Sequence, residues 1–420
     1  MDTASNTTTP NVQRKPLSVK VLAFCAIVFL ACQIALPVLI FYINRTGTQA
    51  ATATDSALLT ALTLCTLVLC AAFVLIFCRK PVFLTCALVG FVLLFVFGAW
   101  MCVLFAALLC AVVSGAALLA DAKGAAYLPF AVAAPAAFGI ACLLTHSPLL
   151  SLLSLLPALG ALALAVSFKN KLSIIVSVGT VTGTLTAALV LLILADLRLA
   201  GMPLSVQGIS DAIKAFHASI SQLFADALQL MAETEELAVQ VEQMLGGKLD
   251  AEAIAAFSDS VSYAVLGLLP GCLIMVLWLI SFTAHRGFTA ILLFGQPKEA
   301  CPAHLTHYAP SVPTAVLMIL GYAVLLICSM IPRAEAVVFI ALNVLCVLMP
   351  ILAVMGISIV ITNVKRAPVK WPLILTYALA VLFLGIAVIP MLSFFGAFGV
   401  IMQALAQVLE KKMNDSQNKQ

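Results

Sequence analysis

From Pro81 to Ala120 the chain runs for forty consecutive positions without one Asp, Glu, Lys or Arg. Similar runs recur along its 420 residues, of which 64% are hydrophobic and 9% charged. A water-soluble fold cannot hide that much apolar surface, whereas a bilayer solvates it. A hydrocarbon core about 30 Å thick takes roughly 20 apolar helical residues per crossing. Lipid offers no partners for peptide groups, so each crossing must close its own hydrogen bonds as a helix. No run alternates apolar and polar residues as membrane barrel strands do. The sequence therefore predicts an all-α integral membrane protein.

Charged or Pro/Gly breaks mark spans at 21–43, 57–78, 82–98, 101–120, 125–145, 149–168, 172–197, 257–284, 312–332, 336–362 and 372–390, with a twelfth at 391–409. The 81–120 run exceeds one crossing at about 1.5 Å per residue. It folds as a hairpin near Gly98, Ala99 and Trp100, with Trp100 suited to the interface. The polar stretch Met1 to Lys20 precedes an apolar segment longer than a signal-peptide core, which reads as an uncleaved first helix. About 11–12 transmembrane helices result. They fall into a bundle of about seven over 21–200 and one of four to five over 257–409. A tail at 1–20, an insert at 201–256 and a polar tail at 410–420 complete the chain.

Lys and Arg are retained on the cytoplasmic side of a membrane. With twelve spans, Arg45, Arg198, Lys214, Lys248 and Arg333 fall on one side and the other sixteen of the 21 on the opposite side. Eleven spans would divide them 13 to 8. The twelve-span reading, with both ends cytoplasmic, is preferred. The alternative lays 391–409, which carries Gln403 and Gln407, along the interface as an amphipathic helix. Orientation accounts for the formal charge of +4, which implies no nucleic-acid partner. Of thirteen cysteines, Cys65, Cys70, Cys86, Cys102, Cys110, Cys142, Cys272, Cys328 and Cys346 lie within spans. There they act as small hydrophobes rather than a disulfide framework.

Residues 201–256 break the apolar pattern. Asp211, Asp226, Glu233, Glu235, Glu236, Glu242, Asp250 and Glu252 face only Lys214 and Lys248. Through the segment Ile209, Ile213, Phe216, Ile220, Leu223, Ala227, Leu230, Thr234, Leu237, Val241 and Met244 recur at intervals of four and three. That spacing predicts a heptad helix roughly 50 Å long, ended by Gly246–Gly247 and followed by a helix capped by Asp250. The two form an extracytoplasmic amphipathic hairpin. Three partners fit the seam: the 250–262 helix folded back on it, a second copy or another helix, and the membrane surface. Packing within the chain is preferred. The acidic polar face disfavours lipid, because interfacial helices carry Lys and Arg.

Chemistry is sparse. Gly246-Gly247-Lys248-Leu249 is no Walker loop. No Asp or Glu lies near the centre of a span, which weakens a proton-coupled pump. Cys301, His304 and His307 are of zinc-ligating type, but three ligands at that spacing match no finger, and no metal or cofactor is assigned. In span seven Ser173, Ser177, Thr180 and Thr184 share a face beside Gly179-x-x-x-Gly183. Such faces usually pack helices, and a substrate pathway is the sharper reading. Asn343 must face a partner helix or cavity. Pro270–Gly271 and Pro350 interrupt spans eight and ten, as helix breaks do around transporter sites. No nucleophile and base share a depth, so the residues lean away from an enzyme.

The C-terminal half carries an ordered set of features. Leu269-Pro270-Gly271 lies in a span ending at His285-Arg286. Tyr308-Ala-Pro310-Ser-Val-Pro313 opens the next, Asn343 stands thirteen residues before Gly356-Ile-Ser-Ile-Val, and Phe395-Gly396-Ala-Phe-Gly399 follows. Over roughly 150–412 this resembles the YybS-like family of bacterial multi-pass membrane proteins. The chain departs from that family in having neither an Asp nor an Arg between Phe398 and Gln407, and in its additional N-terminal spans. The resemblance implies a bacterial cytoplasmic membrane. The family has also been likened to substrate-binding membrane components of energy-coupling-factor transporters, which implies separate ATPase and scaffold subunits. Two functions stay open. One is a transporter, or the non-ATPase membrane subunit of a small-solute transporter. The other is a non-transporting scaffold or regulatory protein that presents the seam to a partner.

Overall fold

The computed structural model describes residues 17–46, 52–77, 102–120, 127–233, 235–245, 250–292, 308, 310–331, 334–384 and 388–417. Nine helices among them are long and apolar enough to cross a bilayer. They are α1 (Val19–Thr46), α2 (Ala53–Phe77), α3 (Cys102–Ala120), α4 (Leu128–Thr145), α5 (Pro148–Lys169), α6 (Ile174–Leu199), α9 (Ala251–Leu292), α11 (Glu335–Arg366) and α13 (Val388–Gln417). Two shorter apolar helices, α10 (Val312–Cys328) and α12 (Lys370–Leu384), occupy the ninth and eleventh expected spans. The remaining pair, α7 (Val206–Ala232) and α8 (Glu235–Met244), lies in the acidic insert. The described residues contain no strand. The chain is thus an all-α multi-pass membrane protein, its outward apolar side chains in contact with lipid. The expected span at 82–98 and its hairpin at Trp100 lie outside the described residues, as do Gly246–Gly247.

The chain divides into two compact units, one of Met1–Leu192, Val276–Ala315 and Pro350–Gln420, the other of Ile193–Met275 and Val316–Met349. In the first, small residues let helices meet closely. A Cβ added to Gly115 of α3 would lie 2.6 Å from the Phe29 ring of α1 and 2.8 Å from Ala161 of α5. One added to Gly160 of α5 would lie 2.9 Å from Val112 of α3. Phe29 also stacks on Phe130 of α4, with ring centroids 5.0 Å apart. Where a 3-10 turn at Leu152–Ser154 interrupts α5, the buried Gln33 of α1 donates Nε2–H to the Ser154 carbonyl at 3.1 Å. Later in the unit α11 and α13 approach backbone to backbone. A Cβ on Gly356 would run into the Leu392 carbonyl, and one on Gly396 into the Leu352 carbonyl.

In the second unit Ser205 caps α7, its Oγ accepting from the Gly208 N–H at 3.1 Å. Asp250 caps α9, as its position predicts, its Oδ1 accepting from the Ala253 N–H at 2.7 Å. Two findings correct the single heptad helix expected over 209–244. The helix breaks after Ala232 and restarts at Glu235. Its charges account for the break: Glu233 sits at a C-terminus, where the helix dipole disfavours anions, and Glu235 and Glu236 open the next helix, where it favours them. Val241 of α8 also leaves the seam's line and is buried with Leu228 of α7 and Ile254 of α9.

Candidate functional site

α7 has two apolar faces. Phe224, Leu228 and Met231 recur at intervals of four and three on the inner one. Leu228 is only 6% exposed there, beside Val241 and Ile254, with Phe257 and Met231 packed around them. Further along, His217 Nε2 of α7 stands 3.6 Å from Asp259 Oδ1 of α9. Its ring meets Tyr263 edge-on at 6.5 Å, and Tyr263 meets Phe339 of α11 at 5.4 Å.

The expected seam is the other face, and it is open. Ile213 is 49% exposed, Phe216 50%, Leu223 71% and Leu230 68%, with Ile209 and Ala227 exposed and Ile220 half-buried. The preference for packing the seam within the chain holds at Val241, buried beside Ile254 of the 250–262 helix, and is corrected over Ile209 to Leu230. Leu228, outside the 4,3 register, supplies the intramolecular contact with Val241 and Ile254, and the seam residues of α7 are left uncovered. Leu237, expected to extend the seam, belongs to α8, and its side chain lies outside the described residues, as does Thr234.

Neutral side chains border the stripe: Ala212, Ala215, Ser219, Gln222 and Gln229. Asp226 accepts a hydrogen bond from Gln222 Nε2 at 2.8 Å, and Lys214 pairs with Asp211 on its own helix at 3.8 Å. Exposed Leu, Ile and Phe side chains each forgo roughly 1.5–3 kcal/mol that full burial would return.

A second constellation lies deep in apolar sequence around Pro270, which does not break its span as expected but sits inside α9, continuous from Ala251 to Leu292. Proline has no N–H, so the carbonyl one turn back loses its helical donor, and the ring crowds it. In the next register the Gly271 N–H would ordinarily donate to the Gly267 carbonyl. Asn343 of α11 takes both halves of that bond. Its Oδ1 accepts from the Gly271 N–H at 2.5 Å and its Nδ2 donates to the Gly267 carbonyl at 2.6 Å. The second amide proton goes to the Phe339 carbonyl at 2.8 Å. The glycines make room, since a Cβ on Gly267 would strike Phe339 and one on Gly271 would strike Asn343. Asn343 thus faces a helix partner, with both of its amide protons engaged. Pro350 is buried inside the continuous helix α11.

In α6 the threonine hydroxyls at 180 and 184 serve their own helix, while the buried Ser177 Oγ has no hydrogen-bond partner. Thr180 Oγ1 donates to the Val176 carbonyl and Thr184 Oγ1 to the Thr180 carbonyl, each at 2.8 Å. Ser177 is buried and Thr180 exposed, and a Cβ on Gly179 or Gly183 would meet nothing within 4 Å. A small apolar cavity lined by Phe73, Phe77, Cys110, Val113 and Thr283 among others holds about 10 Å³, at the limit for one water.

The thiols show a contact that sequence spacing did not reveal. Cys70 of α2 lies beside Cys32 of α1 and Cys110 of α3. Among the described residues no three His, Cys, Asp or Glu side chains form a metal-binding group, and Cys301, His304 and His307 lie outside them. No family model, no curated protein and no solved structure matches this chain.

Proposed function

We propose that this protein is a non-transporting membrane scaffold or regulatory protein that receives a partner helix on the open seam of α7. The observation that carries this reading is the line of Ile213, Phe216, Leu223 and Leu230, 49% to 71% exposed, on a helix whose other face is already packed. A straight seam at 3.5-residue spacing suits a helix better than a globular surface. The Lys and Arg distribution supports a topology with the N-terminus cytoplasmic and the seam on the outer face of a bacterial cytoplasmic membrane. The resemblance to the YybS-like family supports the same membrane.

The test is a photo-crosslinking residue at Ile213 or Leu223 in native membranes. A discrete adduct at either site, absent when the probe stands at the packed Leu228, is the expected outcome. Probes at both seam sites that yield no adduct of any mass would end this reading.

A second reading, the non-ATPase membrane subunit of a small-solute transporter, rests on the Pro270–Gly271 junction inside α9. Transporters place interrupted helices around their binding sites, and backbone groups served by a movable side chain fit that use. Both amide protons of Asn343 are engaged by helix carbonyls, which favours the scaffold. Gentle extraction of the tagged protein decides: a stoichiometric ATPase in the purified complex supports the transporter, and its absence alongside a retained seam partner rejects it.

A further inference from the structure

We infer that the contact between α9 and α11 is a binding site for a Cu(I) ion, held by the sulfurs of Cys272, Met275, Cys346 and Met349. The site is independent of the seam on α7 and lies wholly within the second unit. Asn343 fixes the register of the two helices, standing 72 positions after Gly271 and 76 after Gly267, both of which it bonds. Helices in that register run parallel. Their backbones meet closely, since a Cβ on Gly271 would lie 2.8 Å from the Asn343 Cα. One residue beyond Gly271, the Cys272 thiol lies beside that of Cys346. Each helix then carries a methionine three residues on, as Cys272-Leu-Ile-Met275 and Cys346-Val-Leu-Met349. Positions three apart share a helix face. Cys346 follows Cys272 by 74 positions, and Met349 follows Met275 by the same 74. The register that sets thiol against thiol therefore sets thioether against thioether, about 4.5 Å further along both helices.

The donors and their surroundings select the ion. Thiolate and thioether sulfurs suit Cu(I), whereas Zn(II) sites are built from thiolate, imidazole and carboxylate. Two thiols are too few to enclose an ion, and the two thioethers bring the donors to four without adding charge. Binding exchanges one thiol proton for the metal: an S–H bond breaks, an S–Cu bond forms, and the proton leaves to water with no change of oxidation state. One thiolate and one Cu(I) sum to zero, so the occupied site carries no net charge at a depth where charge is costly. Tyr322 of α10 lies within electrostatic reach of Cys346, and its buried hydroxyl has no hydrogen-bond partner. It is a donor in reserve for the thiolate that metal binding creates, of the kind that orients metal ligands from outside the first shell of donors. The four sulfur side chains are half-buried rather than sealed, so an ion passed on from another sulfur carrier can reach them.

The full-length protein in detergent, reduced and kept free of oxygen, is given Cu(I) buffered by a competing chelator, and the copper retained after desalting is counted. Thiols elsewhere in the chain also take copper, so each result is read as a difference from wild type. Cys272→Ser with Cys346→Ser should lower the copper held by one equivalent per chain. Met275→Leu with Met349→Leu should weaken that equivalent by at least about tenfold, a loss that even changes outside the ligand set can cause. Cys70→Ser, in the other thiol cluster, should leave it in place. Saturating Cu(I) should also raise the unfolding midpoint of wild type by more than that of either double variant. Leucine conserves the volume of methionine, so without copper the Met→Leu protein should unfold with wild type, which separates a lost ligand from a lost fold. Wild type that retains no copper overturns the inference. Copper held equally tightly by wild type and either double variant overturns it as well, and so does Zn(II) retained by wild type in preference to Cu(I).

Discussion

At the scale of single residues, Asn343 acts as a detached peptide group. Its carboxamide presents one acceptor and one donor with the spacing of the missing helical bond and fills the gap between Gly267 and Gly271. Asn343→Ala leaves a buried N–H and a buried carbonyl without partners, and the cost should be about 1–3 kcal/mol. Asn343→Asp keeps the acceptor for Gly271 and loses the donors for Gly267 and Phe339. It should therefore fall between wild type and alanine when the carboxyl is protonated, and below both when it is charged. Thermal unfolding of the detergent-solubilised protein measures the order. A wild-type midpoint for Asn343→Ala would show that the junction needs no side chain. Gly271→Ala should also destabilise, because its methyl would occupy the place of Asn343.

At the scale of elements, the two faces of α7 give opposite predictions. Leu228→Ala opens a cavity beside Val241 and Ile254 and should cost about 2–5 kcal/mol. Leu223→Ala, on the open seam, should leave the stability of the isolated protomer within about 0.5 kcal/mol. Denaturant unfolding in dilute detergent separates them, and equal losses would mean that both faces are packed. This pair also shows what the sequence could convey. The membrane helices were legible because twenty-residue apolar runs have one physical solution in lipid, and the cap at Asp250 follows from residue type and place. The 4,3 seam was legible as a pattern, but a period of 3.5 says only that a face is apolar. Which face turns inward was decided by Leu228, which lies off that register, and by Val241 arriving from a separate helix. Asn343 was legible as a residue needing a partner; that its partner is a glycine pair around Pro270 depends on the register of α9 against α11, which no local pattern encodes. Where α11 meets α13, Gly356 and Gly396 allow a backbone approach of the kind small residues permit in membranes. Gly396→Ala should force the two helices apart and cost about 1–3 kcal/mol, read from the same unfolding curves.

At the scale of the whole molecule, the number of crossings sets which side each end occupies, and α13 is the deciding element. Its 30 residues are about 45 Å long at the helical rise, more than the hydrocarbon core requires. An interfacial helix of that length would need cations along its polar edge. Lys411 and Lys412 instead cluster near its C-terminal end, beyond the apolar run from Val388 to Val400, as expected of a helix that enters the bilayer at one end and reaches water at the other. With α13 crossing, the twelve-span topology returns the C-terminus to the side of the N-terminus and holds α7 and α8 on the opposite face. A fluorescent protein that matures only in the cytoplasm should then light up when fused after Gln420. In the same intact cells, Glu235→Cys should react with a membrane-impermeant maleimide while wild type does not. A dark fusion with a reactive Glu235→Cys would mean eleven crossings and an interfacial α13. A bright fusion with an unreactive Glu235→Cys would place the seam inside the cell and move the search for its partner to the cytoplasm.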